Sequence, residues 1–262
     1  MSLSAAQVIA FLAPHALAVA ACVARLAPVA MLCPLLGGQA AGQMVKLSTC
    51  LALALGVHLA GGVEAPVLEG AWAVAGLLGR EAVFGVAIGL VVSLPFDAAR
   101  IGGRFIDTFR GTSAEASLPF AGSREAASGD ALYQLVVALA ISGGGASIAI
   151  SGALRSFGAV HLGAFVPAEA AALQLAGLAA GALATGLAIG APIAGCGLAV
   201  DAALGLASRA ASPVNVSDLG PPLRILLGGA VLWLSVGVLC ERLLAGVAAS
   251  GASLDALYGA LR

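Results

Sequence analysis

The chain has 262 residues, of which 61% are apolar and only 10% are charged. An ordinary soluble domain has about a quarter of its residues charged, so this composition excludes a disordered chain, a coiled coil and a nucleic-acid-binding protein. It also disfavours a soluble enzyme. The mean hydropathy of +1.06 and the net charge of −1 indicate a protein whose surroundings are hydrocarbon or the interior of a hydrophobic assembly.

Six apolar stretches follow one another along the chain, each near or above the roughly 20 residues that a helix needs to cross a bilayer. They cover residues 8–36, 44–62, 71–96, 131–154, 171–204 and 223–247. In lipid the backbone must pair its own polar groups, which favours helices. We therefore predict an all-α integral membrane protein of about six long hydrophobic, partly broken helices arranged as hairpins, in a single domain over residues 1–262. The first ten residues carry no basic side chain, so we expect the first stretch to be retained rather than cleaved.

Glycines recur at a spacing of four within these stretches. Small residues four apart leave a flat strip on which another helix can approach closely. Chance in helices this rich in glycine and alanine is the alternative explanation. The three pairs are Gly85 with Gly89, Gly177 with Gly181, and Gly186 with Gly190.

Helix breakers also lie inside the apolar stretches, and these indicate packing against partners or the lining of a pathway. They are Pro28, Pro34, Gly143 to Gly145 and Pro192.

Charged residues inside apolar stretches require a partner, because an ionised group at mid-bilayer costs about 3 kcal/mol or more. We expect buried charge pairs at Arg80 with Glu81 and at Glu241 with Arg242, and note Arg25 and Asp201 as further charges. Three interpretations stay open: an ion pair between neighbouring helices, contact with another subunit, and a proton or ion relay.

The residues give no sign of catalysis or of a cofactor. There is no HExxH, GxSxG or phosphate-binding loop, and His15, His58 and His161 are isolated in the sequence. Five widely spaced cysteines in apolar surroundings are expected to be small buried hydrophobes rather than disulfides or metal ligands. They are Cys22, Cys33, Cys50, Cys196 and Cys240.

Residues 97–130 form the one long polar segment and hold four basic residues, so the positive-inside rule places them in the cytoplasm and the acidic 61–70 connection outside. On a helix over 97–111, one face carries alternating charges and another carries Ile101, Phe105 and Phe109. We predict a polar amphipathic helix that ends at Gly111. The segment that follows is long enough for a specific role, although an ordinary solvated loop is the alternative.

The run from Leu94 to Gly111 resembles the FliR/SctT family of type III secretion export-gate membrane proteins, and the injectisome branch in particular. The residues that carry the resemblance are Leu94-Pro95-Phe96, Gly102 and Gly103, Ile106-Asp107, Arg110-Gly111 and the loop with Pro119. The resemblance implies a non-enzymatic, multi-pass protein of the bacterial inner membrane that helps form the channel for unfolded secreted proteins. The implied partners are FliP/SctR-like and FliQ/SctS-like subunits, a FlhB/SctU-like switch protein and membrane lipid, with no nucleic acid and no cofactor.

The same resemblance implies a plug over residues 111–123 that closes the channel until a substrate passes. Its loop residues are Gly111, Thr112, Ser113, Pro119 and Phe120, with Phe120 the bulkiest, and its stem residues are Arg104, Asp107 and Arg110. The leading alternative is a small-molecule permease, because transporters also use broken helices and buried charges. An intramembrane enzyme is a more remote alternative.

Overall fold

A computed structural model describes residues 5–36, 42–61, 63, 66, 68, 70–110, 115–116, 125–165, 169–210 and 220–261. Over these residues the chain forms seven α-helices, one 3-10 turn and one short strand pair, which confirms the predicted all-α fold. The helices are α1 Ala5–Leu32, α2 Gln43–Leu59, α3 Ala71–Arg110, α4 Ala127–Ser142, α5 Gly145–Ala159, α6 Glu169–Ala210 and α7 Gly220–Ala260; the 3-10 turn is Pro34–Leu36. The strands β1 Glu115–Ala116 and β2 Glu125–Ala126 pair antiparallel.

Each of the six apolar stretches lies on its own helix or helix pair. Among the described residues, α1, α3, α6 and α7 are long and apolar enough to cross a membrane, and α4 with α5 makes a fifth span if the broken pair is counted as one. The break falls where Gly144 adopts a φ of +79°, a left-handed conformation that favours glycine. Helix α2 is apolar but has only 17 residues.

Helix α3 is longer than the sequence pattern suggests. The polar helix expected from residue 97 is continuous with the third apolar stretch, and the single helix runs for 40 residues through Pro95. Proline removes one backbone hydrogen bond, but Phe96, Ala98 and Ala99 just beyond it are at most 1% exposed. Tertiary packing of this face therefore holds the helix together where the local sequence would interrupt it.

The described chain forms two compact units, to which α3, α6 and α7 each contribute. Unit 1 comprises Met1–Ser93, Gly144–Leu178 and Ala248–Arg262, and unit 2 comprises Leu94–Gly143 and Ala179–Val247. In unit 1, two glycines of α3 pack on α1. A Cβ at Gly85 would overlap the carbonyl oxygen of Arg25, and one at Gly89 would lie 3.1 Å from Val29 Cα.

In unit 2, the stripe of large residues on α3 packs against small residues of α6. Gly186 lies against Ile101, and Gly190 lies directly against Phe105. Phe105 and Phe109 form an edge-to-face pair with centroids 4.8 Å apart. Two of the three predicted glycine pairs are thus helix contacts. A Cβ at Gly177 or Gly181 would meet no described atom within 4 Å.

All five cysteines are free thiols. Cys22, Cys33 and Cys50 are buried, as expected, whereas Cys196 and Cys240 are partly exposed.

Candidate functional site

Unit 1 has a fully buried ion pair between α1 and α3. Arg25 Nε donates to Glu81 Oε2 over 2.6 Å, and both side chains are 0% exposed. The guanidinium also lies over the rings of Phe84 and Phe157, 4.8 and 4.6 Å from their centroids. Removing one partner of such a pair strands a buried charge, which costs about 3 to 5 kcal/mol.

The same two side chains hold the segment at the end of α5. Arg25 Nη1 donates to the carbonyl oxygens of Ser156 and Val160, at 3.0 and 2.9 Å. A cation is favourable at a helix C-terminus, where the last carbonyl groups lack helical partners. Glu81 Oε1 accepts the backbone N–H of Gly163 over 2.8 Å. One ion pair thereby joins α1, α3 and the turn that follows α5.

The structure corrects the expected charge pairs. Glu81 is buried, but its partner is Arg25 on another helix, whereas Arg80 is exposed. Residues adjacent in sequence point to different faces of a helix, so Arg80 and Glu81 cannot face one another. Glu241 and Arg242 are both exposed within this chain, so the predicted buried pair on α7 is not found there.

Unit 2 contains the base of the polar connection between α3 and α4. Asp107 on α3 is only 5% exposed and accepts two hydrogen bonds from Ser128 in the first turn of α4. The Ser128 backbone N–H donates to Oδ2 over 2.8 Å, and its hydroxyl donates to Oδ1 over 2.5 Å. A carboxylate at a helix N-terminus satisfies an unpaired N–H and interacts favourably with the helix dipole.

Two further contacts align α3 with α4 on the same side of α3. Gly103 lies so close to the backbone of Gly129 that a Cβ there would overlap it. The Arg100 guanidinium lies over the Tyr133 ring at 3.8 Å, which is within the range of a cation–π interaction. Residues 100, 103 and 107 are spaced three and four apart, so a single face of α3 holds the start of α4.

Of the predicted stem residues, the structure brings Asp107 and Arg104 to the base of the connection, where a Cβ at Gly129 would lie 3.5 Å from Arg104 Cγ, and it places Arg110 beside α7. Arg104 is exposed, and the Arg110 side chain packs beside Gly228 of α7, with Nη2 3.5 Å from the carbonyl oxygen of Ile225. Ser128, the partner of Asp107, escaped the sequence analysis. The run Ser128-Gly129-Asp130 ahead of an apolar stretch is a helix-start signal that could have indicated it.

The predicted plug residues Gly111, Thr112, Ser113, Pro119 and Phe120 lie outside the described residues. Within that connection the structure describes β1 and β2, whose register pairs Glu115 with Ala126 and Ala116 with Glu125. This pairing brings together the two ends of residues 117–124. Two sets of contacts therefore hold the two ends of the connection together. They are the β1–β2 pairing and the hydrogen bonds between Asp107 and Ser128.

Two histidines that are isolated in the sequence meet in unit 1. His15 Nδ1 on α1 lies 3.1 Å from His58 Nε2 on α2, so the fold brings together two histidines that are far apart in the sequence. No group of three or more His, Cys, Asp or Glu side chains that could hold a metal occurs among the described residues.

A sequence model of the family described as "Bacterial export proteins, family 1" matches residues 16–249, which is most of the chain. The chain belongs to this family. The family is the FliR/SctT family whose resemblance rests on Leu94 to Gly111, and that prediction is confirmed. No curated protein matches the chain.

As a family 1 export protein whose described residues include four or five membrane-length helices, the chain is a multi-pass protein of the bacterial inner membrane. It has a role in protein export and is a component of a membrane export apparatus, in association with other export subunits. The family is generally non-enzymatic.

Proposed function

We propose that this export protein is a subunit of the type III secretion export gate and helps form the inner-membrane channel through which unfolded proteins leave the cell. It does so without chemistry of its own, together with FliP/SctR-like and FliQ/SctS-like subunits and a FlhB/SctU-like switch protein. The observation that carries the proposal is the fixed base of the α3–α4 connection, where Asp107 holds Ser128.

A channel plug needs a rigid base and a tip that can be displaced. The buried Asp107 carboxylate and the Gly103–Gly129 crossing supply the rigid base. Residues 117–124 join the two paired strands and include Pro119 and Phe120. We infer that this tip lies inside the closed channel. There the Phe120 side chain blocks the passage of ions and small solutes until a substrate chain displaces it.

The lengths of the helices support assembly with other subunits. Helices α3, α6 and α7 have 40, 42 and 41 residues, about 60 Å each at 1.5 Å per residue. The hydrocarbon core of a bilayer is about 30 Å thick. Such helices extend beyond the hydrocarbon or cross it obliquely, and apolar surface beyond the lipid needs protein to cover it.

Among the four described helices that are long and apolar enough to cross a membrane, α7 has the least buried apolar window. Only 11% of its most apolar 18-residue window is buried within the chain, against 56% for α3. Trp233 and Leu234 are 79% and 81% exposed. Glu241 and Arg242 on the same helix are also exposed, and ionised groups on a membrane-length helix are expected to meet a protein partner or water. We infer that α7 contacts the neighbouring gate subunits.

The test is co-expression of the chain with the other apolar subunits encoded beside it, followed by purification through a tag on this chain. We expect one stable complex containing all of them, and we expect Leu234→Glu to prevent its formation. Control measurements on the isolated variant should show an unchanged elution volume and helix content. A well-behaved monomer that never joins a complex, or specific solute flux by the chain alone in liposomes, would contradict the gate function and favour a permease.

A further inference from the structure

Unit 1 has a groove beside the first two turns of α3, with a volume of about 590 Å³. This volume lies within the range of about 300 to 1,000 Å³ that is typical of small-molecule sites. The described lining is apolar apart from Arg80, and its wall opposite α3 is formed by the turn after α5. The lining includes Leu68, Trp72, Gly76, Leu77, Arg80 and Leu162.

Arg80 gives the described lining of the groove a positive charge. Its side chain is exposed and has no ion-pair partner among the described residues. The adjacent carboxylate of Glu81 points away, because it is engaged by Arg25 and by the backbone of Gly163. A guanidinium at the mouth of an apolar groove favours an amphiphile with an anionic head.

Three residues on one face of α3 leave space for such a ligand. Trp72, Gly76 and Arg80 are four residues apart and share one helix face. A Cβ at Gly76 would meet no atom of the described residues within 4 Å, so that part of the chain leaves the space beside Gly76 open. Helical side chains lean toward the helix N-terminus, and an arginine side chain at position 80 is long enough to bring its guanidinium toward the level of Gly76.

The position of Trp72 relates the groove to the membrane surface. Trp72 is 92% exposed in the first turn of a membrane-length helix, where tryptophans anchor at the level of the lipid headgroups. Arg80 lies eight residues further along α3, about 12 Å at 1.5 Å per residue. Its long side chain can place the guanidinium against a lipid phosphate while the acyl chains lie along the apolar wall. The positive-inside rule puts this end of α3 on the outer side.

We propose that this groove binds one anionic phospholipid of the outer leaflet, with its phosphate on Arg80, its headgroup beside Trp72 and its acyl chains along Leu77 and Leu162. Apolar contact with the wall holds the chains, and the Arg80 charge selects the anionic head. The site is separate from the polar connection between α3 and α4, and it does not depend on the proposed gate function.

The experiment uses Trp72 as the reporter. The chain has two tryptophans, so a Trp233→Phe background leaves Trp72 alone. The full chain is placed in nanodiscs with brominated phosphatidylglycerol or brominated phosphatidylcholine, and the quenching of Trp72 is titrated. One basic residue near an anionic surface corresponds to about fivefold tighter binding of the anionic lipid.

We expect this preference for phosphatidylglycerol to disappear in Arg80→Gln and to persist in Arg80→Lys. The matched control is Arg155→Gln, because Arg155 is also exposed and lines a groove but is paired with Asp255 at 3.1 Å; it should keep the preference. Equal quenching by the two lipids, or an unchanged preference in Arg80→Gln, would overturn the proposal.

Two further outcomes distinguish the other occupants. Loss of the preference on adding millimolar inorganic phosphate would reveal a site for the free anion and overturn the lipid site. Repeating the titration with the purified export complex addresses a protein occupant. If neither lipid quenches Trp72 in the complex, a subunit fills the groove and the lipid assignment is wrong.

Discussion

The Asp107 carboxylate on α3 accepts hydrogen bonds from both the backbone N–H and the hydroxyl of Ser128 on α4. Between these two residues lies the whole polar connection, and the pair fixes where it leaves and re-enters the helices. Asp107, which the resemblance places in the stem, therefore also caps the first turn of the next helix.

Asp107→Ala should impair both stability and secretion more than Asp255→Ala. Asp107 is buried, and its loss leaves the Ser128 donors without their acceptor, which costs about 1 to 3 kcal/mol. The Asp255 carboxylate is 53% exposed in its pair with Arg155, and such a surface pair contributes about 0 to 1 kcal/mol. Thermal unfolding in detergent and export of a reporter substrate measure the two effects; equal losses at the two sites would show that the Asp107–Ser128 pair does not hold the base.

Residues 117–124 can be replaced by Asn-Gly without removing the paired strands, because Asn-Gly forms a two-residue hairpin turn. In the assembled complex this variant should make the inner membrane leaky to small solutes, since the proposed tip is gone while its base remains. Ion conductance across the membrane is the readout. The same deletion in the chain without its partners should produce no leak, and unchanged permeability of the assembled complex would refute the plug.

Glu81→Gln should destabilise the isolated chain strongly, by about 3 to 5 kcal/mol, because it leaves Arg25 charged and buried without a counter-charge. The double variant Arg25→Met with Glu81→Leu should be more stable than the sum of the two single losses predicts, since it removes both charges together. Thermal unfolding of Glu81→Gln, of the single variants Arg25→Met and Glu81→Leu and of the double variant checks this, with Arg155→Gln as the exposed control. Additive losses would show that the two side chains act independently.

Gly85→Ala should lower the melting temperature of the isolated chain, whereas Gly181→Ala should not lower it. A Cβ at position 85 would overlap the backbone of Arg25, whereas one at 181 meets no described atom. Alanine is favoured over glycine within a helix by about 1 kcal/mol, so Gly181→Ala should leave stability unchanged or raise it. Melting temperatures decide the matter, and a tolerated Gly85→Ala would contradict the close α1–α3 contact.

Much of the fold could be predicted from hydropathy, because the bilayer imposes helices on long apolar segments. The glycine pairs at 85 and 186 and the stripe of Ile101 and Phe105 were visible as periodic patterns, and the structure packs the stripe against the second pair. The end of α3 was harder to place. Charges after Phe96 resemble a new element, yet burial of that face continues the helix to Arg110.

The candidate sites depended on pairings that no local pattern contains. Arg80 is next to Glu81 in sequence, but the two side chains point to different faces of α3. The partner of Glu81 is Arg25, which lies 56 residues away. His15 and His58 are 43 residues apart, so nothing in either flanking sequence indicates the other. A single serine before an apolar stretch is common, so the sequence gives only a weak signal at Ser128.

The sequence by itself determined that the chain is surrounded by hydrocarbon or by other protein, that its fold is helical and which family it belongs to. The hydrophobic composition is enough for the first two, and a short run of residues is enough for the third. Only the tertiary structure decided which charges are buried together, which glycines touch a neighbour and where the polar connection is fastened. Those outcomes depend on which helix faces meet, and facing residues far apart in the chain are brought together by packing rather than by local spacing.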